Sequence, residues 1–312
     1  MHLNILSVVA LGIAAASVPN VFASPSTCKS SSFKNLVVFG DSFSDTGNVY
    51  KLSNKAWPLS FYDHGRFSNG PIWTEHVART KKYRLINYAY AAATSDSTLV
   101  QGYSGADSTL AVPGFTQQID SYAVKSNPKD AANSLFLVNF QGNDFFFNPA
   151  LDPATVLGKL HEGIDRLVTL GAKNILLVEN IDYGAIPYFN TNATLAGLFG
   201  SIASTQQKDY ITLESALVTK YGAPATKSHP FSQCHSSAAK VNIGYLHLGE
   251  VFQHLEEPSQ LKRLGITDIT HGCVSNDYKQ VCKDASKYFY WDAFHPTTKI
   301  HKEIADVVLH IL

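Results

Sequence analysis

Four short runs of apolar residues stand out along the chain: LVVF (36–39), SLFLVNF (134–140), NILLVEN (174–180) and KVNIGYL (240–246). Such runs, apolar at successive positions instead of alternate ones, predict strands of a parallel sheet buried on both faces. Between them the period changes to that of a helix. In ATVLGKLHEGIDRLVTLGAKN, Val156, Leu157, Leu160, Ile164, Leu167 and Val168 share one face, and Gly171 supplies a stop. A second helix is predicted from about Ser204 to Tyr221, and a third closes the chain in TTKIHKEIADVVLHIL, with Thr297 as its N-cap. Strands alternating with helices predict an α/β fold, a three-layer α/β/α sandwich around a parallel sheet. No internal repeat or charged linker divides the chain, so a single domain is expected over residues 24–312. In sheets of this kind sites form at the C-terminal ends of strands. Two polar stretches occupy such ends: GDSFSDTGN after the first strand and GND after the second.

The first 23 residues carry an apolar run from about Ile5 to Val18 and then Val21-Phe22-Ala23, the small-x-small pattern of a signal-peptide cleavage site. The mature protein is expected to begin near Ser24 and to be secreted, with an uncleaved membrane anchor as the alternative. No later stretch is apolar over the roughly 20 residues of a spanning helix, so stable membrane insertion of the mature chain is not expected. Lys plus Arg balances Asp plus Glu at 25 each, which leaves no basic surface for nucleic acid. Four cysteines in a secreted chain predict two disulfides with three possible pairings. The short loop between Cys273 and Cys282 makes them the preferred pair, leaving Cys28 for Cys234. Asn192-Ala193-Thr194 is an N-glycosylation sequon. There is no HExxH helix, Walker loop, GxGxxG fingerprint or CxxC pair, so neither a metal nor any other cofactor is expected.

A serine nucleophile needs a base, a group that orients the base, and donors aimed at the developing oxyanion. Asp292 precedes His295 by three residues in YWDAFHPTT, a spacing at which a carboxylate on a turn reaches one imidazole nitrogen and leaves the other outward. Asn143 offers a side-chain NH₂ at a strand end; the plain alternative is an Asn-Asp turn. The small residues Ala91 to Ala93 allow a backbone N–H to approach a ligand closely, or simply pack a strand end. A Gly-x-Ser-x-Gly elbow is missing.

Taken in order, FGDSFSDTGN (39–48), GRFSNGPIW (65–73), NYAYAAATS (87–95), GND (142–144) and WDAFHPT (291–297) resemble the blocks of the SGNH or GDSL-type esterase and lipase family. The likeness is greatest to its secreted fungal and plant-type branch, which includes fungal carbohydrate acetylesterases. The resemblance spans nearly the whole mature chain and implies a flavodoxin-like sandwich. It further implies Ser42 as nucleophile, His295 as base, Asp292 as its orienter, and an oxyanion hole made by the backbone N–H groups of Ser42 and Ala92 and the side chain of Asn143. Ser44 becomes a bystander, while Asp45, Thr46 and Asn48 hold the turn.

Two positions depart from the family pattern. Ala92 and Gln141 stand where glycines are usual, and an alanine with positive φ would hold its donor only under strain. Phe145, Phe146 and Phe147, with Gln141 beside them, are the preferred substrate-pocket residues. The function expected from these residues is hydrolysis of short acyl esters, acetyl first, on a carbohydrate or similar alcohol. A lipase or phospholipase acting on longer chains is the runner-up, and an inactive secreted binding protein the third possibility.

Overall fold

The computed structural model describes residues 33–140, 142–221, 231 and 241–312. The first half runs β1 (Asn35–Gly40), α1 (Asn48–Leu52), α2 (Trp73–Lys81), β2 (Arg84–Asn87), β3 (Gly102–Ser104), β4 (Leu110–Val112), α3 (Phe115–Ala123) and α4 (Pro128–Ala132). The middle adds β5 (Ser134–Asn139), α5 (Asn143–Phe147), α6 (Pro153–Thr169), β6 (Asn174–Val178), α7 (Pro187–Asn190) and α8 (Ala193–Tyr221). The last part holds β7 (Asn242–Leu246), α9 (Leu248–Leu255), α10 (Pro258–Leu264), β8 (Asp268–Gly272), β9 (Tyr288–Tyr290) and α11 (Thr298–Ile311).

The central sheet is parallel throughout, in the order β2-β1-β5-β6-β7. Its strands are continuous apolar runs because each feeds two cores. Leu36, Val38, Leu135, Leu137, Leu176 and Val178 face a layer containing Trp73 and Val77 of α2 and Ile300, Ile304 and Val308 of α11. Their neighbours Val37, Phe39, Phe136, Val138, Ile175 and Leu177 face Phe115 and Ile119 of α3, Leu160 and Ile164 of α6 and Leu213 of α8. This is the expected three-layer α/β/α sandwich. The direction of winding reverses between β1 and β5, and the crevice at such a reversal is where open α/β sheets bind ligands.

Several details differ from the sequence reading. The edge strand β2 went unread because RLIN is half exposed and forms no apolar run. Helix α8 starts at Ala193, eleven residues before the expected Ser204, where Gly197 and Gly200 and exposed Leu195 and Leu198 blur the helical pattern. Thr297 does stand at the N-cap of α11, but its hydroxyl donates to the Tyr288 and Phe289 carbonyls. The helix is capped instead by Asn69, whose side-chain oxygen accepts from the Thr298 N–H. Gly171 has φ +100°, the left-handed conformation expected of a helix stop.

Cys273 and Cys282 form the preferred disulfide. The leader segment 1–23, Cys28, Cys234 and Gln141 lie outside the described residues. Among the described residues no helix is long and apolar enough to cross a membrane.

Candidate active site

The turn after β1 is held from three sides. Gly40 ends the strand, where an added Cβ would lie 2.5 Å from the Asn139 carbonyl oxygen, so only glycine lets β1 and β5 close up. Gln118 of α3 clamps the same residue, accepting from the Gly40 N–H at 3.0 Å and donating to its carbonyl at 2.9 Å. Beyond it, the buried Asp45 carboxylate accepts from the N–H groups of Gly47, Asn48, Val49 and Ala91 at 2.6–3.1 Å. Burial pushes the Asp45 carboxyl up to about 6 against the pull of these donors. Asn48 donates to the Asn87 and Ala89 carbonyls, and Asn87 donates to the Ser44 carbonyl and the Thr46 hydroxyl. The turn and the 87–95 block are therefore one hydrogen-bonded unit. Ser44 is fully buried and bonds Asn139, away from the cleft, whereas Ser42 is half-buried and lines it.

Ala92 has φ +71°, so this alanine occupies the left-handed region where glycine is at ease. Its carbonyl is pressed against Gly102, where a Cβ would lie 2.0 Å from the Ala92 oxygen. Neither the Ser42 nor the Ala92 backbone N–H donates to an acceptor among the described residues. The Asn143 NH₂ donates to the Ala93 carbonyl at 3.0 Å and reaches towards Asp41 Oδ2 at 3.4 Å, the long limit of a hydrogen bond. Gly142, with φ +79°, delivers Asn143 to this place, and a side chain at Gly142 would meet the Tyr183 ring at 2.3 Å.

From the far end of the chain, Asp292 and His295 form a closed loop. Asp292 Oδ1 accepts from the Phe294 and His295 N–H groups at 2.8 Å each, and both carboxylate oxygens face His295 Nδ1, Oδ2 at 2.7 Å and Oδ1 at 2.9 Å. This fixes the ring and leaves Nε2 for the cleft that His295 lines. Burial raises the Asp292 carboxyl, but the His295 charge and the hydrogen bonds from His295 and Tyr62 outweigh it and hold the group below its ordinary range. The imidazole is flanked by the rings of Phe67 at 5.4 Å, Phe43 at 6.1 Å and Phe294 at 6.1 Å. The GRFSNGPIW block fastens this loop from outside: Ser68 donates to the Pro296 carbonyl, and Thr298 donates to that of Pro71.

Ser42, Ala92, Asn143 and His295 all line one cleft of about 520 Å³. One wall is mainly aromatic, with Phe146 and Phe147 of α5, Tyr188 and Phe189 of α7, Phe199 of α8, and Phe294, while Ser104, Gly105 and Ser108 line the cleft as well. Phe145, expected in the pocket, is instead 0% exposed in the core. Starting α5 at Asn143 turns Phe145 inward and leaves Phe146 and Phe147 on the cleft side. The sequence reading did not single out Tyr188, Phe189, Phe199 or Phe294. Only Phe294, inside the WDAFHPT block, carried a signal. Gln141 lies outside the described residues. Among the described residues no three His, Cys, Asp or Glu side chains are placed to hold a metal ion.

Residues 36–308 match the GDSL-like Lipase/Acylhydrolase family. The thermolabile hemolysin of Vibrio parahaemolyticus is 27% identical over 282 residues, which cover 88% of this chain and 62% of the hemolysin. This chain thus spans less than two thirds of that relative's length. A GDSL esterase/lipase of Arabidopsis thaliana is 25% identical over 88% of this chain and 86% of its own. The phosphatidylcholine-sterol acyltransferase of Aeromonas hydrophila is 29% identical over half of this chain and 47% of its own. Among solved structures, the carbohydrate acetylesterase Est24 from Sinorhizobium meliloti is similar with a TM-score of 0.44 at 15% identity, over 89% of this chain and 100% of that one. With the family match extending from β1 into α11, this chain belongs to the GDSL-like lipase/acylhydrolase family, a family of ester-bond hydrolases.

Proposed function

We propose that this protein is a secreted serine hydrolase of carboxylic esters whose acyl group is a long apolar chain. His295 Nε2 takes the Ser42 proton as Oγ attacks the ester carbonyl carbon. The tetrahedral oxyanion is held by the Ser42 and Ala92 N–H groups and the Asn143 NH₂, and Asp292 stabilises the imidazolium. Collapse expels the alcohol, which takes the proton from His295. Water, deprotonated by the same imidazole, then cleaves the acyl-enzyme and frees the acid.

The observation that carries the acyl preference is the aromatic wall beside Ser42. An acetyl group makes little use of Phe146, Phe189, Phe199 and Phe294, whereas an alkyl chain desolvates against them. The exposed apolar side chains Phe147 (39%) and Tyr188 (49%) continue that wall to the rim. The phosphatidylcholine-sterol acyltransferase relative, whose name includes a diacyl lipid, supports the same direction. Cleavage after Ala23, a single mature domain over 24–312 and a glycan on Asn192 belong to this proposal. The Asn192 side-chain oxygen caps α8 by accepting from the Thr194 and Leu195 N–H groups, which leaves its NH₂ for a sugar.

The test is hydrolysis of p-nitrophenyl esters from acetate to palmitate, with Ser42→Ala as control. Each methylene buried adds about 0.8 kcal/mol, so kcat/KM should rise about fourfold per carbon until the cleft is filled. A maximum at acetate would return the substrate to the short-chain carbohydrate esters that the sequence first suggested. Absence of any Ser42-dependent rate would leave a binding protein.

A further inference from the structure

Asp292 is served by a donor that neither its own loop nor the five sequence blocks supply. Tyr62, 230 residues away in sequence, donates its hydroxyl to Asp292 Oδ2 at 2.6 Å, the oxygen that also lies 2.7 Å from His295 Nδ1. Both groups are sealed from water, Asp292 at 2% and Tyr62 at 5% exposure. The tyrosine ring is locked by Phe61, Phe67 and Trp291 at centroid distances of 5.2–6.1 Å, and Phe67 in turn touches the His295 ring. The chain entering this position is also fixed, because the Tyr62 N–H donates to the Leu59 carbonyl.

We propose that Tyr62 is a positioning residue of the active site, acting on His295 through Asp292 by sharing Oδ2, the nearer of the two carboxylate oxygens that hold the imidazole. The proposal rests on the assignment of His295 as base. Two consequences follow from the geometry. The hydroxyl fixes the rotation of the carboxylate from the Oδ2 side, as the Phe294 and His295 N–H groups fix it from the Oδ1 side, so both oxygens stay turned to Nδ1. It also withdraws negative charge from Oδ2, which weakens the attraction between Asp292 and a protonated imidazole. Burial, and after it the Asp292 charge, push the phenol far above its ordinary range, so it remains a donor wherever the enzyme is folded.

The other titratable groups near this pair are few. Tyr278 senses the Asp292 charge and is itself pushed up to about 12, chiefly by burial. From α11, His301 is pushed down to about 3 by its full burial, with His295 itself and then His76 of α2 adding to the shift, so it stays neutral.

The experiment compares wild type with Tyr62→Phe, which keeps the ring and its packing. The His295 midpoint is read by NMR titration of its imidazole carbons, assigned with His295→Gln, alongside the pH profile of ester hydrolysis. Loss of the hydroxyl should move the His295 midpoint upward, because the carboxylate beside it carries more of its charge. The kcat should fall about 10-fold, the low end for losing a hydrogen bond to a charged group, since three other donors remain on Asp292. KM should stay within about twofold. In an Asp292→Ala background the same substitution should have no further effect on kcat, because the hydroxyl acts only through the carboxylate. An unchanged His295 midpoint overturns the proposal, as does an equal loss from Tyr62→Phe in both backgrounds. If the wild type shows no Ser42-dependent hydrolysis, the esterase reading fails by itself, and the imidazole midpoint still decides the role of Tyr62.

Discussion

Removing the Asn143 side chain separates a role in stabilising the transition state from a role in holding the fold. The NH₂ has two hydrogens. One is committed to the Ala93 carbonyl at 3.0 Å, and the other points along the 3.4 Å approach to Asp41, long enough to be recruited by an oxyanion that forms at Ser42. In Asn143→Ala the first loss is structural, one ordinary hydrogen bond of about 1 kcal/mol, or a Tm lower by about 2–4 °C. The second loss is chemical, an oxyanion donor whose removal costs about 10² to 10³ in kcat, roughly 2.7–4 kcal/mol of barrier. Because the ground-state carbonyl carries little charge, KM should change little. Asn143→Asp keeps the shape but sets a carboxylate against the Ala93 carbonyl and beside Asp41, so it should destabilise more than the alanine does. Steady-state hydrolysis of p-nitrophenyl butyrate with thermal unfolding of each variant gives both quantities. A kcat loss under about 10-fold in Asn143→Ala, or a loss residing in KM alone, would refute the oxyanion role and leave Asn143 as a structural cap.

Two further outcomes follow from backbone strain and burial. Ala92→Gly relieves a left-handed alanine at a cost in chain entropy and one half-buried methyl, so Tm should rise by about 1–2 °C and kcat stay within about threefold; a large kcat loss would mean that the methyl, not the N–H, matters at this position. His301, buried neutral with its midpoint pushed down to about 3 from an ordinary 6.5, binds a proton in the unfolded chain before it does in the folded one. Stability should therefore fall as pH drops below 6.5, by about 1.4 kcal/mol per unit, and urea unfolding of His301→Leu at pH 7, 6 and 5 should show that dependence reduced by the same amount. Parallel pH dependences in the two proteins would refute the assignment.

The sequence alone determined what is local. Continuous apolar strands with helices between them could only be buried on both faces, and so the three layers were legible. The Asp292–His295 pair was legible as a candidate because three residues on one turn can bring the two groups together, and the order of the family blocks along the chain gave it its roles. The turn after β1 showed its polar residues, and the Asp45 bonds to the Gly47, Asn48 and Val49 N–H groups fall within it, though Asn48 and Asp45 also reach across to the 87–95 block.

What only the tertiary structure decided depends on contacts between distant segments or on backbone phase. The tyrosine on Asp292 comes from 230 residues away, and Gln118 reaches Gly40 across 78. Neither leaves a pattern in its own neighbourhood, since a lone buried polar side chain has no period. The positive φ at Ala92 is not an alanine preference, and it sits where Asp45 holds the preceding N–H and Gly102 packs against the Ala92 carbonyl. Which of three consecutive phenylalanines faces the cleft was settled by where α5 begins, because a helix turns each residue about 100° from the last and a shift of one position exchanges core for cleft.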